Sequence, residues 1–176
     1  MQPRPIAIVW RRFGPYHLAR LKAAAKMLPV VGLEVVRKDA TYAWDVVDGS
    51  DGFRRVTLLE TDWRWVKPSA VAKAVKAALE REQPAAVLLP GWSAPEALAG
   101  LEWAVQRRIP AILMSASQQH DRPRRKLVEW IKHRVARLYS AALVGGSKHA
   151  AYVASLGMPA ERVFTGDDVV DNAHFA

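Results

Sequence analysis

Short, continuous apolar runs recur along this chain, and most are followed by a segment of helical periodicity. "IAIVW" (6–10), "VVGLEVVRK" (30–38), "PAAVLLP" (84–90), "IPAILMSAS" (109–117), "AALVGG" (141–146) and "ERVFTGD" (161–167) read as strands. Runs of this kind, apolar without alternation, are what strands buried on both faces require. Between them, Leu18, Leu21, Ala25 and Leu28 mark a helix that Pro15 opens and Pro29 stops. "PSAVAKAVKAALERE" (68–82) repeats Val71, Val75 and Leu79, and "APEALAGLEWAVQRR" (94–108) sets Leu98, Leu101 and Val105 on one side. "RPRRKLVEWIKHRVARLYS" (122–140) is amphipathic, and "SKHAAYVASLG" (147–157) closes at Gly157. The stretch 39–66 is less regular: "DVVDGSDGFRRVTLLE" (45–60) predicts a hairpin, or a strand with a decorated loop. Strand and helix alternate along most of the chain. With right-handed crossovers, that pattern predicts an α/β, Rossmann-like three-layer sandwich around a mainly parallel sheet.

Composition narrows the class. The 176 residues suit one domain, and 51% hydrophobic with 24% charged residues is globular usage. Without cysteine there is no disulfide framework and no thiolate-bound zinc. No apolar run reaches the roughly 18 residues of a membrane span. "MQPRPIAIVW" enters a strand with no signal-peptide core, so a cytoplasmic location is expected. The net charge is +9, and residues 121–138 hold seven Lys/Arg against two acids. An anionic membrane, a phosphorylated ligand or nucleic acid could answer such charge. No helix-turn-helix, zinc-finger or RNA-recognition signature is present, so nucleic acid is the least expected of these.

Ligands of open α/β sheets bind beyond the carboxyl ends of the strands. That selects "RRFGPYH", "PGWSAPE", "SASQQHDRPRR", "GGSKH" and "GDDVVDNAHF". The first loop has one glycine, Gly14, and matches neither a dinucleotide fingerprint nor a P-loop. It is either a plain turn or a place where backbone N–H groups meet an anion. His120 is either solvated or a base. His17, His133, His149 and His174 lack metal-site spacing, and Asp167, Asp168 and Asp171 read as an acidic turn more readily than a cation site. Leu127, Ile131, Val135 and Leu138 form a stripe expected to pack on the core, leaving a basic face that could meet anionic lipid with Trp130.

Three phrases resemble one family. "RRFGPYHLARLKAAAKM" looks like the glycine loop and first helix of GT-B-fold glycosyltransferases of the retaining, family-4 type. "IPAILMSAS" looks like their strand before the active-site loop. "AALVGGSKHAAYVASLGMPAERVFTGDDVVDNAHFA" resembles the close of their N-terminal domain. The resemblance implies that residues 1–176 are the N-terminal, acceptor-side half of a GT-B fold. The C-terminal, donor-binding domain would then be absent from this chain and its chief partner. It implies transfer of a sugar from a nucleotide-diphosphate donor to a hydroxyl acceptor, lipid-linked if the basic helix meets the inner membrane face, with no tightly bound cofactor and no metal. The isolated domain would be inactive. Gly14 matches the family's loop glycine, and Asp171 with Asn172 its closing motif. The family's histidine directly after the "IPAILMSAS" strand falls at about Ala116, counting from Pro110, so His120 takes that role or no side chain does. The implied cleft comprises Phe13, Gly14, His17, Gly91, Trp92, Ser115, Ala116, Ser147, Asp171 and Asn172. Arg122, Arg124, Arg125 and Lys126 would contact an anionic surface. Two alternatives stand beside this reading: a non-catalytic basic module binding membrane or nucleic acid, and half of a sugar-nucleotide epimerase.

Overall fold

The computed structural model describes residues 3–39, 52–118 and 125–169. Seven strands form one sheet in the order β3-β2-β1-β4-β5-β6-β7, and every pairing is parallel. They are β1 (Ile6–Trp10), β2 (Val30–Lys38), β3 (Arg54–Asp62), β4 (Ala86–Pro90), β5 (Ala111–Ser115), β6 (Ala141–Val144) and β7 (Val163–Thr165). Five helices accompany them: α1 (Pro15–Ala25), α2 (Pro68–Glu82), α3 (Pro95–Arg107), α4 (Lys126–Ala136) and α5 (Ser147–Ser155). This is the expected Rossmann-like α/β sandwich.

Connection handedness decides which face each helix covers. The step from β1 to β2 runs one way along the sheet, and the steps from β3 onward run the other way. Right-handed crossovers therefore place α1 opposite the remaining helices. The core divides accordingly. Val71, Val75, Leu79, Ala97, Leu101, Ala104, Ala136 and Val153 gather on one side with inward residues of the strands. Leu18 and Leu21 of α1 join Phe13, Phe53 and Met114 on the other. Among the described residues α1 is the one helix on its face. Hence β1 and β2 are buried on both sides, whereas β4 and β6 alternate between buried and half-buried positions.

Four details differ from the sequence reading. Helix α1 ends at Ala25, before Pro29, and Leu28 is already outside it. The β-rich run before Val66 supplies β3, which lies parallel to β2; the first half of the predicted hairpin falls outside the described residues. On α3, Leu98 and Val105 are exposed, and the buried face is built from Ala97, Gly100, Leu101 and Ala104. Small residues are needed there because the helix sits against β4: a Cβ on Gly100 would lie 2.5 Å from Leu89 Cδ2. The fourth is α4. Leu127, Ile131 and Leu138 are 68%, 48% and 53% exposed; of the expected stripe Val135 packs on the core, joined there by Ala136. Side-chain periodicity shows that a helix has an apolar stripe, but not which neighbour covers it.

Gly32 in β2 has a similar packing role. A Cβ there would stand 3.0 Å from Phe13 Cζ and 3.1 Å from Leu21 Cδ1. Gly32→Val should cost about 1–3 kcal/mol through overpacking, read from urea unfolding. It should also displace the Phe13 ring.

Candidate functional site

The strand order reverses its direction of growth between β1 and β4. At such a switch point the loops after the two strands part, and a crevice opens at their carboxyl ends. Residues 11–14 form one lip and residues 91–94 the other.

The β1 lip is held by a buried carboxylate. Glu34 stands in the middle of β2 and is almost wholly inaccessible. The Phe13 N–H donates to Glu34 Oε1 at 2.7 Å, while Arg55 Nη2, Arg55 Nε and Thr57 Oγ1 donate to Oε2 at 2.8, 3.3 and 3.3 Å. The Arg55 guanidinium also lies 5.2 Å from the Phe13 ring centre. One carboxylate thus fixes both the main chain of the loop and the third strand.

Arg11 spans the crevice. Its guanidinium lies 4.1 Å over the Trp63 ring, with Nε 3.4 Å from Glu96 Oε1 and Nη1 4.0 Å from Asp39 Oδ2. Glu96 is buried at the start of α3, where the helix dipole favours an anion. Its Oε2 has no hydrogen-bond partner among the described residues. Arg12, also buried, donates from Nη1 to the Asp39 carbonyl at 3.5 Å.

Gly14 begins α1, and its N–H donates to His17 Nδ1 at 3.0 Å. His17 packs 4.6 Å from the Trp10 ring. Burial, and then the nearby Arg20 cation, lower its pKa to about 4. It is neutral at pH 7, as an Nδ1 acceptor must be. The backbone donor that could have met an anion is used within the loop by this histidine.

On the opposite lip, Gly91 adopts φ +79°, and among the described residues nothing lies within 4 Å of where its Cβ would be. Only glycine takes this conformation without strain, and its open side lets another molecule approach the backbone. Its carbonyl accepts from Tyr139 Oη at 2.7 Å, and its N–H donates to Met114 O at 2.8 Å. Tyr139→Phe should cost about 1 kcal/mol by leaving that carbonyl short of a donor, and should loosen the Gly91 turn in amide hydrogen exchange.

The residues singled out from sequence fall into three groups. Gly14 and His17 follow β1, and Gly91 follows β4, the two strands that flank the switch point. Phe13 and Trp92 are core residues: Phe13 contributes its N–H to the loop, and Trp92 packs edge-on to Tyr152 at 5.8 Å. Ser115 is buried, with its Oγ accepting from Ser117 N at 3.2 Å, whereas Ala116, just after β5, and Ser147, the first residue of α5, are exposed. Arg125 and Lys126 are exposed at the start of α4. His120, Arg122, Arg124, Asp171 and Asn172 lie outside the described residues.

Asp167 and Asp168 answer a cation from another helix. Arg20 of α1 reaches Asp168 Oδ1 at 3.1 Å, Asp167 Oδ1 at 3.9 Å and the Val169 carbonyl at 3.2 Å. Burial raises the pKa of Asp167. This pairing ties the exit of β7 back to α1. Among the described residues no His/Cys/Asp/Glu group has the arrangement of a metal site.

Sequence reading passed over Arg11, Glu34, Arg55 and Glu96. One signal was present: an acid inside "VVGLEVV" has no place in a buried strand unless it is paired.

The fold is a Rossmann-like α/β sandwich whose strand order reverses between β1 and β4. No family model and no curated protein matches the chain. Solved structures do match. UDP-N-acetylglucosamine 2-epimerase from Rickettsia bellii is similar at TM-score 0.60 and 18% identity, over 94% of this chain and 44% of that one. UDP-GlcNAc 2-epimerase from Neisseria meningitidis, bound to UDP-GlcNAc, is similar at TM-score 0.56 and 11% identity, over 92% and 45%. The S. aureus MnaA–UDP structure gives TM-score 0.58 and 17% identity, over 93% and 43%. The chain spans less than half the length of each.

These matches correct the enzyme class that the sequence resemblance implied. Its structural neighbours are UDP-GlcNAc 2-epimerases, not glycosyltransferases. The two classes share the GT-B fold, and the three phrases that carried the resemblance are strands, turns and helices of its βα units. A glycine before the first helix and an apolar strand before an open loop are demands of the architecture, whichever reaction it hosts. Among the described residues no helix is long and apolar enough to cross a membrane.

Proposed function

We propose that this chain is one Rossmann-like half of a sugar-nucleotide enzyme with epimerase-type chemistry. The observation that supports this most is the extent of the structural likeness. More than nine-tenths of the chain superposes on one half of UDP-GlcNAc 2-epimerases, one of them bound to its sugar nucleotide. In this reading the ligand is a UDP-sugar, held between the switch-point crevice and a second Rossmann-like domain.

The crevice offers suitable groups. Gly91 leaves its backbone open to a ligand. Gly146 and the exposed Ser147 begin α5, where backbone N–H groups and the helix dipole favour a phosphate. His17, neutral and committed to Gly14, contributes shape and hydrogen bonding in place of charge. Inverting a C–H centre requires a base to remove the proton and a donor to return it to the other face. His120, which follows β5 in the sequence, is the candidate for one of these roles. Asp171 and Asn172 are candidates for the boundary with the second domain.

The test supplies the missing half. The chain is mixed with a matching C-terminal domain and incubated with UDP-GlcNAc in heavy water. Deuterium entering at C2, together with UDP-induced amide shifts around Gly91 and Gly146, is the expected result. Absence of both, with each half folded, would remove this reading.

A further inference from the structure

We infer that the outer face of α4 is a docking surface for an anionic lipid bilayer. The inference is independent of the reaction proposed above, because it rests on the helix alone.

Leu127, Trp130, Ile131, Arg134 and Leu138 follow one another at offsets of three, four, seven and eleven residues, so they share one face of the helix and its C-terminal extension. Trp130 is 59% exposed, and the other three apolar members are also exposed. The face turned to the body of the protein is a different one, carrying Val135 and Ala136, with Tyr139 just beyond the helix. The apolar stripe is therefore not a core stripe left bare at one end. It points away from the core along its length, and contiguous exposed apolar surface of this kind marks an interaction site.

The charge around the stripe has one sign. Arg125, Lys126, Arg134 and Arg137 are all exposed. Arg134 reaches over Trp130, its guanidinium carbon 5.6 Å from the ring centre. The helix has a single acid, Glu129, which is turned aside: it accepts from Lys132 Nζ at 2.8 Å and from Tyr152 Oη at 3.0 Å. It does not offset the exposed cations.

The start of the helix is informative as well. Arg125 occupies the cap position without a side-chain capping bond, and Lys126 follows. Cations there oppose the helix dipole, so helix stability does not account for them. A negatively charged partner does. An apolar stripe containing tryptophan and flanked by arginine and lysine is the composition of a helix lying in the plane of a bilayer interface. The 11 residues of α4 are too short to span a bilayer. Two copies meeting through this face would set four cations against four, which disfavours self-association.

Co-sedimentation of the chain with phosphatidylcholine vesicles, with and without phosphatidylglycerol, tests the surface. Binding is expected only to the anionic vesicles and should fall with salt. Each cation near an anionic surface contributes about fivefold in partitioning, so R134Q/R137Q should bind about 25-fold more weakly. W130E/I131E should lose binding while its far-UV circular dichroism stays unchanged. Vesicles should blue-shift the emission of the parent chain by more than that of W130F. Three results would each overturn the inference: no anionic-vesicle binding by the parent chain, undiminished binding by R134Q/R137Q, or a dimer in sedimentation velocity that W130E/I131E dissolves. The last would assign the face to a second copy.

Discussion

Replacing Glu34 with alanine should destabilise the chain by about 3–5 kcal/mol, the range for removing one partner of a buried ion pair. The size follows from what remains. Arg55 would keep its charge with a side chain only 11% exposed, and the Phe13 N–H and Thr57 hydroxyl would lose their acceptor. Water can reach these groups only if the loop 11–14 or the edge strand β3 moves. Glu34→Gln should cost less, because the amide oxygen can still accept from Phe13. A double-mutant cycle separates the ion pair from the packing. If Arg55 is costly chiefly because Glu34 has gone, Arg55→Ala should add little in the E34A background. The coupling between two groups in contact should then lie at about 0.5–3 kcal/mol. The measurement is urea unfolding followed by circular dichroism. A loss below about 1 kcal/mol in E34A would mean that the pair is not what holds the loop. The loop matters beyond stability, since its main chain also presents Arg11 and Arg12 at the crevice.

Glu34 also shows where sequence reading reached its limit. The β/α alternation is written in local apolar runs, because a strand in a parallel sheet has to be apolar on both faces. Hence β1, β2, β4 and β5 could be located from their own residues, and Gly14 and Gly91 from the strand ends they follow. Glu34 is set inside such a run, and its partners Arg55 and Phe13 lie 21 residues away on either side. Nothing local relates the three. The same holds for Arg20, whose partners Asp167 and Asp168 arrive from the far end of the chain. For α4 the periodicity was plain, but periodicity is equally consistent with a stripe turned toward the core and one turned away. The choice was made by Ala136, which lay outside the stripe, and by Val135, the stripe member that packs beside it. The enzyme class failed for a related reason. The phrases that resembled a glycosyltransferase encode strands, turns and helices of βα units, and a fold shared by several reactions imposes those on each of them.

His17 should make stability fall as the solution is acidified from about pH 6.5 to about pH 4. In the unfolded chain an imidazole takes up its proton near the ordinary value of 6.5, while in the fold burial and Arg20 delay this to about 4. Above pH 6.5 His17 is neutral in both states, and its full contribution is present. Between the two values the unfolded chain binds a proton that the native state refuses, so acid favours unfolding. Below pH 4 both states are protonated and the contribution is gone. The separation corresponds to about 3 kcal/mol. The structural cause is specific. Nδ1 accepts the Gly14 N–H at 3.0 Å, and a protonated Nδ1 would place one N–H against another at the start of α1. His17→Gln keeps an acceptor at this position and cannot titrate. Its unfolding free energy should therefore lose the slope between pH 6.5 and 4 that the parent chain shows. Persistence of that slope in H17Q would assign it to other groups, and Asp167 is not one of them: burial raises its pKa, so acid favours its native form. A flat profile would instead identify the first loop as a site whose hydrogen bonding is set by one neutral imidazole. Acid would then open that loop before it melts the rest of the sheet, and amide exchange at Gly14 would report the opening first.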